Sequence, residues 1–406
     1  MTIRITHIET IRPPIQPNIL FVLLRSADGL VGLGEAFFGS RAIEAYIHET
    51  AAEVVLKMND VSPETVAAAL TPYLGYQGSG IEVRGNAAID LALWDLLGQV
   101  CGVPLFTLLG GTNERPLKVY NTCAGSDYVR TGTRQSSENW GLRAGAPTAG
   151  EYEDLQAFLK HPGTLARDLL DEGIRGMKIW PFDKAGEASG GNSITRRELQ
   201  AGIAIVEEIR TEVGMDMDLM IELHGLWNRP AATQIINALE PYLPYWVEDP
   251  IRPDAIDALH HLSSDVSVPI AVGETSVGRR GVLSILDQGS IDILTLDLQW
   301  TGGLTEARKV ATLADAYSVP IAPHDCTGPA TLAACVHLSH SQPNSLVQET
   351  VRAFLRTWYM ELVTGLPEVN DGHVKASPVP GHGVKLTDEV LSGPGNHRRV
   401  TSLTDV

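Results

Sequence analysis

Trp246-Val247-Glu248-Asp249-Pro250 and Ile270-Ala271-Val272-Gly273-Glu274 decide the fold of this chain, because each is a short apolar run that delivers a carboxylate at its end. Working outward, the same pattern recurs at Leu219–Leu223 with Glu222, at Ile293–Leu298 with Asp297, at Pro320–Pro323 ahead of His324 and at Leu346–Thr350 with Glu349. The intervals separating these polar residues are 26, 26, 23, 27 and 25. A spacing of about 25 accommodates one strand, one helix and two connections, and a helix-length stretch follows most of the runs. Successive βα units lay parallel strands side by side and gather the groups at their C-terminal ends on one mouth. Two more strands, Lys118–Thr122 and Gly176–Trp180, complete eight and close a (β/α)8 barrel. Lys178 and Trp180 then share a face, since side chains alternate along a strand. A single carboxylate near a strand end is commonly a helix cap or a surface charge. Recurrence at one phase through consecutive units points instead to a shared site.

The 406 residues exceed the roughly 250 of a barrel, so a smaller domain should accompany it. A hydrophobic fraction of 44% with 20% charged residues places the chain among soluble globular proteins with ample core material. No apolar run approaches the roughly 18 residues of a membrane span, and the amino terminus lacks a basic-then-apolar leader, which predicts a cytoplasmic protein. Cys101, Cys123, Cys326 and Cys335 lack C-x-x-C spacing, so reduced and mostly buried thiols are expected. The net charge of -18, with no dense Lys/Arg cluster, argues against a nucleic-acid partner. An anionic substrate would need a bound cation and specific basic side chains to overcome that field.

Residues 1–117 read as an α+β domain ahead of the barrel. Ile3, Ile5 and Ile8 suggest a strand, and Ile19–Leu24 and Leu30–Gly34 flank Asp28-Gly29, a strong hairpin signal. Helices are expected over 41–57, 62–72 and 84–100, the last stopped by Gly102 and Pro104. The barrel should occupy 118–365, and 366–406 should return to the first domain through a strand at Gly381–Leu386. Gly29, Gly32 and Gly34 are out of order for a dinucleotide fingerprint. Two segments, 124–150 and 181–195, interrupt the barrel rhythm on its C-terminal face, where lids, specificity loops or oligomer contacts belong.

Glu222, Glu248 and Glu274 on consecutive strands repel one another unless a cation holds them, and all-oxygen ligation selects a hard ion such as Mg2+. Asp297 and His324 come from adjacent units and can pair, the carboxylate orienting the imidazole and raising its basicity. A lone histidine is more often structural, yet this one sits in Pro323-His324-Asp325 at the catalytic end of a strand. A retaining glycosidase, the usual rival for acidic barrels, needs two carboxylates about 5 Å apart, commonly on strands four and seven. Strand seven here delivers a histidine.

The segment Ala87-Ala88-Ile89-Asp90-Leu91-Ala92-Leu93-Trp94-Asp95-Leu96, followed by Gly102-Val103-Pro104 and Leu108-Leu109-Gly110-Gly111, resembles the last capping-domain helix of the mandelate racemase subgroup of the enolase superfamily. The resemblance continues through Trp246–Pro250, Val272-Gly273-Glu274, Asp297 with Gly302-Gly303, and Pro323-His324. It implies an α/β modified TIM barrel, (β/α)7β, with an α+β capping domain built from both termini. It further implies one Mg2+ on Glu222, Glu248 and Glu274, a small-molecule carboxylate substrate, abstraction of the proton beside that carboxylate, and a homo-oligomer. A proton at that position is barely acidic, so a divalent ion must supply most of the stabilisation. Lys178 would add a second positive contact. Glu349 resembles the residue that donates a hydrogen bond to the substrate carboxylate, a role that requires it to be protonated.

Racemases of the subgroup resemble one another in a Lys-x-Lys at the end of strand two, where this chain has Lys178-Ile179-Trp180. One base is therefore missing, which argues against racemisation. Glu222-Leu223-His224 and Pro323-His324-Asp325-Cys326-Thr327-Gly328-Pro329 are instead similar to acid-sugar dehydratases of the galactonate type. That likeness implies C2 proton removal by His324 oriented by Asp297, an enediolate held by Mg2+, and protonation of the departing C3 hydroxyl by His224, giving a 2-keto-3-deoxy acid. Glu222 departs from those enzymes, which usually carry Asp there. Lys178, Trp180, His224 and Glu349 are the expected substrate contacts. The loop Pro14–Asn18, the two inserted segments, Trp180, Trp227, Arg279 and Arg280 are candidates for reading substrate stereochemistry. A cycloisomerase or epimerase of the same subgroup and a catalytically silent scaffold barrel are the alternatives.

Overall fold

Parallel strands wind around a closed barrel in this computed structural model, which describes residues 2–71, 80–130, 153–325 and 327–406. Six are regular: β4 (Leu117–Thr122), β5 (Gly176–Ile179), β6 (Asp218–Glu222), β7 (Trp246–Glu248), β8 (Ile270–Val272) and β9 (Ile293–Leu294), each paired with the next. The seventh position shrinks to Ile321, which bridges Leu294 on one side and Ser345 on the other. Pro320 and Pro323 flank it and have no N–H to give to a ladder, so the expected strand cannot extend. The eighth, β10 (Gln348–Thr350), pairs with β4 and closes the ring.

The barrel interior explains why the polar residues recur at one phase. Tyr120, Met220, Trp246, Ala271, Ile293, Ala322 and Val347 form a buried cluster, one residue from each of seven strand positions. Gly176 leaves the remaining position empty of side chain, because a Cβ there would lie 2.7 Å from the Cβ of Tyr120. Two residues further along each strand, alternation returns the side chain to the same face. Those positions are Thr122, Lys178, Glu222, Glu248, Gly273, Thr295, His324 and Glu349, with Glu274 one residue and Asp297 two residues beyond Gly273 and Thr295.

The capping sheet is antiparallel in the order β15-β1-β2-β3, with β1 at Ile5–Arg12, β2 at Ile19–Ser26, β3 at Val31–Phe37 and β15 at His397–Ser402. Helix Ile81–Cys101 packs across β3 and ends at Gly102, in the left-handed region at φ 68. Gly32 and Gly34 permit that packing: a Cβ on either would meet the carbonyl oxygen of Ala92 or Ala88 at 2.0 Å. The helix expected over 41–57 is interrupted by a π-helical turn, Ile47–Ala51, and that over 62–72 is found at Pro63–Leu70 behind a Ser62/Thr65 capping box.

The return of the tail differs from expectation. Lys385–Leu386 is the strand part of Gly381–Leu386, numbered β14, and it pairs with β11 (Val363–Thr364) outside the capping sheet. Between them, β12 (Val369–Asn370) and β13 (His373–Val374) form a hairpin on β4. The strand that completes the capping sheet is β15 (His397–Ser402), antiparallel to β1. Its polar sequence suits an edge, where only one flank is paired and side chains face solvent. The glycine segment instead fastens the tail under the long helix: Asp95 accepts from the N–H groups of His382 and Leu33, both at 3.0 Å.

Buried polar contacts join cap to barrel. Gln299 accepts from Phe37 N–H at 2.6 Å, Asp90 accepts from Thr305 N–H at 2.9 Å, and Trp94 donates to the Thr305 hydroxyl at 2.8 Å. Cys123 and Cys335 are buried as expected, but Cys101 is exposed because it closes the last turn of its helix. Cys326 and residues 131–150 of the first insert lie outside the described residues. Among the described residues no helix is long and apolar enough to cross a membrane.

Candidate active site

At the C-terminal mouth, Glu222, Glu248 and Glu274 each present an oxygen within 4.8 Å of the others, and all three are buried. Glu222 and Glu248 are register partners across β6 and β7. The donor set suits a hard divalent cation. Glu222 Oε2 accepts no hydrogen bond, and Lys178 Nζ stands 3.5 Å from it. Burial pushes Glu248 up to about 8 although Lys178 pulls it down, and burial also raises Glu274. Asp249 is driven well up by burial and by the three glutamates. Such an excess of buried negative charge is what a bound cation relieves.

Lys178 is wedged among carboxylates, with Nζ 3.1 Å from Glu248 and 3.0 Å from Glu349. Burial opposes its charge, but Glu248 and Glu349 outweigh burial and hold it well above its ordinary pKa, so it is an ammonium. Glu349, expected to be protonated, is surrounded here by donors. Its Oε1 receives the Thr122 hydroxyl and Lys178, and its Oε2 receives the Asp325 N–H at 2.9 Å. Burial raises this carboxyl, yet Lys178 and then His324 carry it below the ordinary value. Glu349 therefore accepts on both oxygens, and Lys178 and His324 favour its carboxylate form.

His324 Nδ1 lies 2.9 Å from Asp297 Oδ2. Asp297 is fixed in turn as an N-cap: its Oδ1 accepts from the N–H groups of Gln299 at 2.7 Å and Trp300 at 2.8 Å, and its Oδ2 from the Thr327 hydroxyl at 3.1 Å. The other ring nitrogen, Nε2, is 3.3 Å from Glu274, and Trp300 stacks on the imidazole at 5.4 Å.

His224 occupies the left-handed region at φ 50, with its N–H on Glu222 Oε1 at 2.7 Å. Its Nδ1 is 2.6 Å from Asp183 Oδ2. Burial lowers its basicity, but Asp183 and Glu222 overcome this and raise the imidazolium to about 10. Asp183 was not singled out by the sequence, where it is one acidic residue in an inserted segment with no spacing to mark it.

One cavity is lined by Lys178, Trp180, His224, Glu274, His324 and Glu349 together with Phe38, Thr122, Tyr128, Val129, Trp300 and Thr327. Trp180 meets His224 edge-on at 5.8 Å and Tyr128 at a tilt at 5.6 Å. Other expected specificity residues are elsewhere. The Pro14–Asn18 loop supports the wall from behind, Asn18 donating to the Val129 carbonyl at 2.6 Å and Arg130 to the Ile15 carbonyl at 3.0 Å. Trp227 packs beneath Gly186, Arg279 pairs with Glu306 at 2.7 Å, and Arg280 is exposed. Phe38 reaches the cavity from the cap in a left-handed conformation at φ 63, stabilised by Arg84, which donates to the Phe37 and Phe38 carbonyls.

Residues 163–390, more than half of the chain, match the Enolase C-terminal domain-like family. Residues 8–110 match the Mandelate racemase / muconate lactonizing enzyme N-terminal domain. The chain belongs to the mandelate racemase subgroup of the enolase superfamily. Similar solved structures include an enolase of that subgroup from Agrobacterium tumefaciens, 38% identical over 99% of this chain and 100% of that one, with a TM-score of 0.86. An enolase protein from Sargasso Sea environmental sequencing is 37% identical over 98% and 99%, also at 0.86. D-galactonate dehydratase from Ralstonia nicotianae strain GMI1000 is 31% identical over 96% of this chain and 93% of its own length. The enzyme of that name from Xanthomonas euvesicatoria is 30% identical over 92% and 90%. The protein is thus an enzyme of the superfamily, and these relatives place it among the hydro-lyases.

Proposed function

We propose that the protein dehydrates a sugar acid to a 2-keto-3-deoxy acid. One observation carries this reading: a single cavity holds two imidazoles, each bonded through Nδ1 to its own carboxylate, while strand two ends in Lys178-Ile179-Trp180 without a second lysine. Two bases of equal standing would suit racemisation; a base and an acid suit elimination.

Glu222, Glu248 and Glu274 would hold Mg2+, which when bound supplies positive charge beside the substrate carboxylate as negative charge develops there. Lys178 adds its ammonium to the same carboxylate. Asp297 accepts the Nδ1 proton of His324, so Nε2 carries the lone pair that takes the C2 proton. The electron pair of the C2–H bond moves toward the carboxylate and returns to form C2=C3 as the C3–O bond breaks. His224, held as an imidazolium, gives its proton to the leaving hydroxyl, so water departs. The enol then gains a proton at C3 and loses the one on its C2 hydroxyl to become the keto acid. Glu349 anchors Lys178 and the Asp325 backbone, and Trp180 forms an apolar wall against the substrate.

A division into a barrel at 118–365 and a cap from 1–117 and 366–406 goes with this reading, supported by the pairing of β15 with β1. The test is a panel of sugar acids that includes D-galactonate, with Mg2+ and semicarbazide to trap keto acids. Wild type should yield one, and His324→Asn none. Proton exchange at C2 without any keto acid would transfer the assignment to epimerisation or cycloisomerisation.

A further inference from the structure

Asp183 begins the short helix Asp183–Ser189 in the segment after strand two. Its side chain is 1% exposed; Oδ2 lies 2.6 Å from His224 Nδ1, and Oδ1 has no hydrogen-bond partner. Burying a carboxylate with one donor is costly, and neutral packing would fill the space at lower cost. The segment that carries it is fastened down. Asn228 donates to the carbonyls of Gly191 at 2.9 Å and Asn192 at 3.0 Å, and a Cβ on Gly191 would meet the Leu226 carbonyl oxygen at 1.8 Å. His224 is clamped from two other sides, by Glu222 on its N–H and by Trp180 against its ring.

We infer that Asp183 is a positioning residue for His224, forming a second carboxylate–imidazole pair that mirrors Asp297–His324. It keeps the Nδ1 proton on its own side, so that Nε2, the nitrogen it does not hold, delivers a proton to the departing hydroxyl. Asp183 itself neither gains nor loses a proton in that step. The kinetic part rests on the dehydratase reading; the geometric part does not.

The full chain labelled with 15N-histidine separates the two. A low-field imidazole N–H resonance should vanish in both His224→Asn and Asp183→Asn, while a second, lost in His324→Asn, persists in Asp183→Asn and reports an intact fold. An unchanged His224 resonance in Asp183→Asn would overturn the inference. With Mg2+ and a sugar acid that wild type converts, Asp183→Asn should lower kcat for dehydration by about 10²-fold or more, the scale of a lost general acid. KM and C2 exchange should stay within about threefold of wild type. Elimination of fluoride from the 3-deoxy-3-fluoro analogue, which needs no acid, should survive. Equal loss of exchange, dehydration and fluoride release would show a merely structural role and reject the inference. If wild type converts no sugar acid, the dehydratase reading fails and the resonance experiment still decides Asp183.

Discussion

Replacing Lys178 with Met strips three buried carboxylates of a shared ammonium, with Nζ 3.0 Å from Glu349, 3.1 Å from Glu248 and 3.5 Å from Glu222. At an effective dielectric of about 20, each such contact is worth about 5 kcal/mol of attraction, most of it cancelled by the desolvation of the ions. Stranding buried charge in this way has a net cost of about 3–5 kcal/mol. In a domain of barrel size that lowers the thermal midpoint by on the order of 10 °C. The effect depends on pH with a definite sign. Burial already pushes Glu248 up to about 8, and Glu349 stays below its ordinary value because Lys178 and His324 outweigh burial. A carboxyl raised on folding loses stability as pH climbs from its unfolded value through its folded one, while a depressed carboxyl contributes fully above its unfolded value and loses that contribution as pH falls through its folded one. Removing the ammonium raises both groups, so the added cost grows with pH: the Glu349 share accrues as pH rises from its depressed wild-type value, and the Glu248 share is added only as pH passes about 8. Thermal denaturation of wild type and Lys178→Met in chelator, at pH 5 and pH 8.5, measures it. Midpoints that coincide at pH 8.5, or differ equally at both pH values, would refute the reasoning.

Adding Mg2+ should raise the wild-type stability, and its midpoint with it, by about 2.7 kcal/mol at a hundredfold excess over Kd, and Glu274→Gln should suppress the rise. Calorimetric titration of the metal into each protein checks this. His224→Asn should keep C2 exchange in D2O and lose dehydration by about 10²- to 10⁴-fold, whereas His324→Asn should lose both. Gly34→Ala drives a Cβ to 2.0 Å from the Ala88 carbonyl oxygen and should destabilise by about 3 kcal/mol or more in urea melts. Gly29→Ala, in open space at φ 85, should cost only about 1–2 kcal/mol.

What the sequence disclosed follows from the barrel's geometry. Met220 with Glu222, Trp246 with Glu248 and Ala322 with His324 are two-residue steps from an inner layer to the mouth, so spacing alone exposes them. Lys178 was legible from its alternation with Trp180 on the strand Gly176–Trp180, and in the barrel Gly176 takes the inner-layer position two residues before it. Asp183, Phe38 and Trp300 come from connections, whose side chains no period constrains. Strand β15 escaped notice because His397-Arg398-Arg399 is polar on both faces, as an edge strand can be. The surroundings of Glu349 were not legible, because its neighbours Lys178, Thr122 and Asp325 come from three other strands or loops that meet only in the folded barrel.

In the proposed reaction one base and one acid act on the same substrate. The direct measurement is proton NMR of wild type with Mg2+ and the sugar-acid panel in D2O. It should show a 2-keto-3-deoxy acid carrying one deuterium at C3, with the remaining substrate unchanged in configuration at C2. Accumulation of the C2 epimer without keto acid would contradict it.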